Sequence, residues 1–184
     1  MRSSCGRVPF AVLVDYPAAM ALTARSPSAS VSVLTRWMGV ADANTAGSVH
    51  GGRIMYLCDE VAGIAAIRHS GRRVVTAGVD RMNFLHPVLV GDLVTVRATV
   101  NTAWRTSMEV GVRVEREHVH SGEVEHTSTA YLTMVALDDE RRPVEVPPVA
   151  PESDDERRRQ DEAELRRRNR LAERAEIVQG RGGA

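Results

Sequence analysis

The stretch SVHGGRIMYLCDEVAGIAAIRHSG, Ser48–Gly71, decides how the rest of the chain folds. It opens on a glycine pair, Gly51 and Gly52, and runs to about Arg68 without a proline. Met55, Leu57, Ala62, Ala65 and Ala66 are good helix formers. The stretch therefore predicts a helix from Gly52 to about Arg68, roughly 25 Å long at 1.5 Å per residue. It is apolar around most of its circumference, VAGIAAI above all, which marks a core helix rather than a surface one. The basic residues of HSGRR suit the negative end of the helix dipole, and Gly71 is a stop. Asp59 and Glu60 stand side by side at the centre of this apolar run, and that pair needs an explanation.

On the N-terminal side, SVSVLTRWMGV from Ser30 is rich in β-branched residues and predicts a strand, and ADANTAGSVHGG, full of turn formers, predicts a loop. On the C-terminal side everything to about residue 138 is strand-like. RRVVTAGVDRMNF is β-branched and LHPVLVGD turns. DLVTVRATV sets Val94, Val96, Ala98 and Val100 on one face. SMEVGVRVERE alternates Met108, Val110, Val112 and Val114 against Glu109, Gly111, Arg113 and Glu115. EVEHTSTAYLTMVALD is a last long strand. One strand, one helix and four strands joined by short turns predict an α+β domain whose antiparallel sheet curls around a single helix. One curled sheet leaves a side of so apolar a helix open, so a second copy is expected alongside.

The ends differ in composition from this middle. Residues 1–28 have no sustained period and read as a disordered extension outside the fold, or as residues ahead of a true start at Met20. Asp15 and Pro17 break the apolar run that a secretory signal needs. Past Pro143 a proline-rich linker leads into PESDDERRRQDEAELRRRNRLAERAEI, a charged helix capped at Ser153. Leu165 and Leu171 are too sparse for a core stripe, so residues 150–184 predict a solvated helical tail held by ion pairs. Its arginine clusters have a second use open to them, a phosphate or a neighbouring subunit.

Lys plus Arg and Asp plus Glu both total 24, so net charge favours neither nucleic acid nor an anionic membrane as partner. No apolar run is long enough to span a membrane. Cys5 and Cys58 lie far apart, one of them inside the apolar helix. That is the pattern of a reduced cytoplasmic chain, neither a disulfide framework nor metal-ligand spacing. The six histidines form no metal cluster.

Asp59 and Glu60 differ by about 100° around the helix axis and cannot point the same way. The bland reading gives each to solvent or to an arginine. A functional reading needs an electrophile site nearby, and VHGG supplies one. The first N–H groups of a helix have no intrahelical partner and carry the positive end of its dipole. Two glycines let another molecule approach that backbone, as in an oxyanion hole. Asp59 lies two turns on, ~10 Å by rise, too far to serve the same carbonyl within one chain. Two copies packed helix against helix, antiparallel, bring the Asp59 of one to the Gly52 end of the other.

These residues also carry a resemblance. DANTAGSVHGGRIMYLCDEVAGIAAIRH, VVTAGVDRMNFLHPVLVGDLV and WRTSMEVGVRV resemble the hotdog-fold acyl-CoA thioesterases, in the bacterial short-to-medium-chain and brain acyl-CoA hydrolase group. The likeness runs from about Ser30 to Val149, the domain expected at 29–149. It implies a hotdog fold, dimers with a continuous sheet, often a trimer of dimers, and hydrolysis of acyl-CoA to free acid and CoA. It implies Asp59 as catalytic acid and Asn44, in the loop before HGG, as a second catalytic residue. Arg105, Thr106 and Ser107 correspond to a segment near bound CoA. No cofactor is implied beyond the CoA of the substrate.

On this reading the Gly52 N–H receives the thioester carbonyl, with His50 and Gly51 shaping the loop around it. Asp59 either deprotonates water or attacks the carbonyl itself. Asn44, both donor and acceptor, orients water or carbonyl. Arg73 and Arg105 are candidates for the CoA phosphates, against the plainer reading of surface charges. Cys58 faces away from Asp59 with nothing to activate it. Two rivals share the fold: a non-catalytic acyl-CoA-binding sensor, and an enoyl-CoA hydratase using Asp42 and His50, whose spacing does not fit.

Overall fold

The computed structural model describes residues 22–181. Strand β1 (Ser32–Trp37) precedes helix α1 (Gly51–Ser70). Strands β2 (Arg73–Val79), β3 (Asn83–Phe84), β4 (Leu93–Ala103), β5 (Ser107–His118) and β6 (Glu123–Leu137) follow, and helix α2 (Asp154–Arg181) closes the described chain. The strands are antiparallel in the order β1-β4-β5-β6-β2, with β3 pairing β6 beyond the end of β2.

The predicted alternation places the core. Val94, Val96, Ala98 and Val100 of β4, Met108, Val110, Val112 and Val114 of β5, and Ala130, Leu132, Met134 and Ala136 of β6 are all buried on one face. α1 lies against that face through Ile54, Leu57, Cys58, Val61, Ala62, Ala65 and Ala66. These positions recur every three to four residues, the period of a helix stripe. Burying each valine, leucine, isoleucine or methionine among them contributes about 1.5–3 kcal/mol, and the alanines let the strands and α1 approach closely, so the stripe and the three strand faces favour a sheet curled around α1. This is the curled-sheet, single-helix architecture expected, the hotdog fold.

The ends of α1 are set locally. His50 is the N-cap, its Nδ1 accepting from the Gly52 N–H at 3.0 Å. Gly71 terminates the helix at φ 64°, a left-handed conformation that costs glycine no steric penalty, and its N–H donates to the Ile67 carbonyl. The other side of α1 is not covered. Met55, Tyr56, Ile64 and Ile67 are exposed there, beside the unpaired edge strand β2 with its exposed Val75 and Val79. An apolar helix flank next to an open strand edge is the uncovered side that the sequence predicts for a second copy.

Three expectations change. The stretch Arg72–Phe84 is two strands, not one: after a register shift between Thr76 and Gly78, β2 ends at Val79 and the chain re-enters as β3. Residues 1–28 were expected outside the fold. Residues 1–21 lie outside the described residues, but from Arg25 the chain is bound to it. Arg25 pairs with the linker at Val149, its guanidinium donates to the carbonyls of Arg68 and His69, and a 3-10 turn, Pro27–Ser30, buries Pro27 and Ser30.

The tail is the third correction. α2 does begin in the predicted capping box, Ser153 Oγ accepting from Glu156 N and Glu156 Oε2 from Ser153 N. Its exposed arginines do pair along the helix, Arg158 with Asp155 and Glu162 among them. Yet the helix is not simply solvated. Glu109, on the outer face of β5 and without exposed surface, accepts from Arg166 at 2.7 and 3.2 Å and from Asn101 at 3.1 Å. Arg166 also lies 3.6 Å from the Tyr131 ring centroid, and Trp104 donates to Glu164 at 2.7 Å. A carboxylate inside a strand's outer face needs a cation on top of it, and α2 brings one.

Candidate active site

Asp59 stands on the uncovered flank of α1, exposed, where β2 passes it. Thr76 of β2 donates its hydroxyl to Asp59 Oδ1 at 2.5 Å. A hydroxyl bond to a carboxylate is charge-assisted and directional; it engages Oδ1 and leaves Oδ2 open as an acceptor. Asp59 borders a cleft of about 260 Å³ together with Gly52, Met55, Tyr56, Val79 and Leu132. The wall is apolar, the carboxylate its charged group, and the cleft opens beside the β2 edge. Glu60 is exposed on the neighbouring side and does not border it. The question posed by the pair resolves accordingly: Asp59 is held over a cleft and Glu60 is given to solvent.

Cys58 borders the same cleft, but burial first, and the Asp59 charge second, push its thiol up to about 12. It is a packing residue, inert as a nucleophile at neutral pH, as expected, but it does not face away from Asp59: both line the one cleft.

The loop before α1 is held by its own polar groups. Asn44 Oδ1 accepts from the N–H groups of Ala46 and Ser48, and Asn44 Nδ2 donates to Ser48 Oγ. One Nδ2 hydrogen remains for a ligand. Asp42 is buried, accepts from Gly39 N and pairs with Arg53 at 2.9 Å. With Asp42 fixed to Arg53 and His50 capping α1, the pair a hydratase would need is spent on structure.

Gly51 and Gly52 have different physical reasons. A Cβ on Gly51 would stand 3.3 Å from the Phe84 ring of β3, and one on Gly52 would stand 3.1 Å from His50 Nδ1. The Gly52 N–H, expected to be a free oxyanion donor, is occupied by His50 within this chain, so a carbonyl reaches it by displacing that imidazole.

The structure does not gather all the predicted residues in one chain. Asp59 and Gly52 share a cleft, while Asn44 stands apart in the loop. Arg73, at the start of β2, and Arg105, in the turn between β4 and β5, are both exposed. They lie at the far end of the sheet, where Arg73 opposes Leu137 and Ser107 opposes Val135. That turn is tied by bonds from Trp104 N to Ser107 O, Ala136 N to Thr106 O and Val146 N to Arg105 O. From Gly52 to that end is about 27 Å along α1.

Thr76 is the candidate site residue that sequence reasoning missed. Its signal was faint: a hydroxyl at an inward position of a β-branched strand, readable only once β2 is known to run beside the middle of α1.

Comparison with known proteins identifies the group. Residues 46–123 match the thioesterase superfamily. An uncharacterised acyl-CoA thioester hydrolase of Bacillus subtilis (strain 168) is 42% identical over 115 residues, 62% of this chain and 67% of that one. The cytosolic acyl coenzyme A thioester hydrolase of Rattus norvegicus is 38% identical over 141 residues, 76% of this chain, which spans only 37% of that longer protein.

An acyl-CoA hydrolase from Staphylococcus aureus, solved with butyryl coenzyme A, coenzyme A and coenzyme A disulfide, superposes with a TM-score of 0.78. It is 39% identical, covering 84% of this chain and 94% of that one. A hexameric acyl-CoA thioesterase gives a TM-score of 0.81 at 35% identity, covering 83% and 98%. Three solved variants of the S. aureus enzyme replace an asparagine, an aspartate and a threonine by alanine. The sequence intervals between those three positions equal those between Asn44, Asp59 and Thr76. On the fold, the extent of the match and the identity of these relatives, the chain belongs to the acyl-CoA thioester hydrolases of the thioesterase superfamily.

Proposed function

We propose that the chain hydrolyses acyl-CoA thioesters to free acid and coenzyme A in a site that two copies complete along the β2 edge. The observation that carries the assignment is the Thr76–Asp59 hydrogen bond on the wall of an apolar cleft. It holds a carboxylate over a space lined for an acyl group. Two copies paired through β2 set their α1 helices side by side and antiparallel. The Gly52 and Asn44 end of one then faces Asp59 of the other, and the Arg73 and Arg105 end of that other. Hexameric relatives are consistent with such assembly.

In the reaction, the thioester carbonyl displaces the His50 imidazole from the Gly52 N–H, and that N–H and the helix dipole stabilise the developing oxyanion. Oδ2 of Asp59 takes a proton from water as its oxygen bonds to the carbonyl carbon. The C–S bond breaks, and the thiolate of CoA leaves and is protonated. Direct attack by Oδ2 gives a mixed anhydride that water then opens, with the same products. Asn44 orients water or carbonyl with its free Nδ2 hydrogen. Arg73 and Arg105, with Thr106 and Ser107, take the phosphate end of CoA at the rim. We place the protein in the cytoplasm, as its buried reduced thiol and its cytosolic relatives favour; among the described residues no helix is long and apolar enough to cross a membrane.

Release of free thiol from a panel of acyl-CoAs tests this. Asp59→Asn is expected to lower kcat by about 10²–10⁴-fold with acyl-CoA binding retained. A wild-type protein that binds acyl-CoA and never turns it over is a sensor instead. Full activity in Asp59→Asn removes Asp59 from the chemistry.

A further inference from the structure

α2 crosses the outer face of the sheet in a definite direction. Ala163 is buried and Glu164 accepts from Trp104 at the end of β4. Arg166 reaches Glu109 of β5 and covers Tyr131 of β6. One turn later Arg170 holds both carboxylate oxygens of Asp80, just past the end of β2, at 2.9 and 2.8 Å. Because β2 ends the strand order, the helix has by then reached the open edge of the sheet. It continues as Leu171–Arg181, every residue exposed, an overhang of roughly 16 Å.

The overhang changes chemistry on the side that faced the sheet. Arg166 and Arg170 mark one helical row, and Ile177 continues it two turns on. Arg167, its guanidinium 4.2 Å from the Trp104 ring, starts a second row that continues through Leu171 and Val178. Over the protein's own sheet these rows are arginines, paired or stacked. Past the edge they carry Leu171, Ile177 and Val178, at 52%, 48% and 60% exposure, with the charged Glu173 and Arg174 between them. Three turns of helix with no packing are marginal in water, and apolar residues on the sheet-facing side gain nothing from solvent.

We propose that Leu171–Arg181 is an arm that lies on the outer face of a second copy of this chain, joined along the β2 edge. The proposal rests on the pairing argued for the active site. Paired strands stand about 4.8 Å apart, so an overhang of this length spans about three strands, enough for β2 and β6 of the other copy. Val74 packs toward the core and Thr76 toward Asp59, so Val75, between them, points outward, and it is 47% exposed. It is an apolar landing point on the edge strand. The two-fold relation sends two arms across the seam in opposite directions, each covering apolar surface that neither copy buries alone.

Photo-crosslinking of the full chain tests the arm. Val178→benzoylphenylalanine is irradiated in a mixture of heavy- and light-isotope protein, and amide exchange of β2 is followed in the same sample. Mixed-isotope crosslinks from position 178 to residues 73–79 or 129–137 are expected. A chain ending at Arg170 is expected to self-associate at least about tenfold more weakly. At concentrations that restore the dimer its thioesterase rate per site is unchanged. Protected β2 amides with crosslinks only inside one chain, or with unaltered association of the shortened chain, overturn the arm and leave the pairing standing. Freely exchanging β2 amides in the active protein overturn the pairing itself, and the arm with it.

Discussion

Arg166→Ala should be among the most damaging substitutions outside the active site. Glu109 has no exposed surface, and its carboxylate is held by two bonds from Arg166 and one from Asn101. Removing the guanidinium leaves a charge with a single neutral amide and uncovers the Tyr131 ring. A buried pair broken on one side costs about 3–5 kcal/mol. In a chain of this size 1 kcal/mol shifts Tm by about 2–4 °C, so a fall of about 6–20 °C is expected. Thermal melts followed by circular dichroism, at one fixed protein concentration because association adds to apparent stability, give the number. Arg142→Ala is the control: its side chain is 71% exposed and its pairs with Asp138 and Glu140 are at the surface, so its Tm should stay at wild type. Replacing both partners, Glu109→Leu with Arg166→Met, should recover most of the loss, since no charge is then buried. If Arg166→Ala melts like Arg142→Ala, Glu109 is not sealed under α2 and the account of the tail is wrong.

Thr76→Val should lower kcat about ten- to a hundredfold with KM little changed, and Thr76→Ser should restore it, because a hydrogen bond to a charged group contributes about 1.5–3 kcal/mol. Gly111→Ala places a Cβ 2.7 Å from Asn101 Nδ2, beneath Glu109; a loss of about 1–3 kcal/mol in urea unfolding is expected, and an unchanged midpoint would contradict that contact. Burial above all, with Arg25 adding to it, lowers the pKa of His69 below 6.5 despite the bond between its Nε2 and the Pro147 carbonyl. A lowered folded pKa means that the unfolded chain takes up the proton first, so this contribution is complete above pH 6.5 and is lost as pH falls below it. Urea midpoints between pH 7 and 5.5 should fall in the wild type and flatten in His69→Gln; equal slopes would refute the assignment.

Most of the domain was legible because local pattern and tertiary packing ask for the same thing. Alternation in β4 and β5 and the proline-free run of α1 each put their apolar residues on one side, and a curled sheet on a helix is what buries both. The capping residues Ser153 and Gly71 act within a turn of where they stand, so they too could be read directly. Asp59 could be singled out because an acid in an apolar helix needs a reason.

What stayed hidden depends on partners distant in sequence. Nothing near Thr76 announces that its hydroxyl will meet Asp59, since that requires the strand after α1 to run back alongside it. Glu109 looked like an ordinary outward residue of a strand, and Arg166 like one more charge in a solvated tail; each is explained only by the other, 57 positions away. His50 seizing the Gly52 N–H is likewise a matter of side-chain geometry that composition does not specify. The sequence by itself determined which residues must be buried and where helices begin and end, because those follow from periodicity and backbone chemistry. Tertiary structure alone decided which polar groups find one another, because a hydrogen bond or ion pair depends on ångström-scale distance between segments that the chain brings together only on folding.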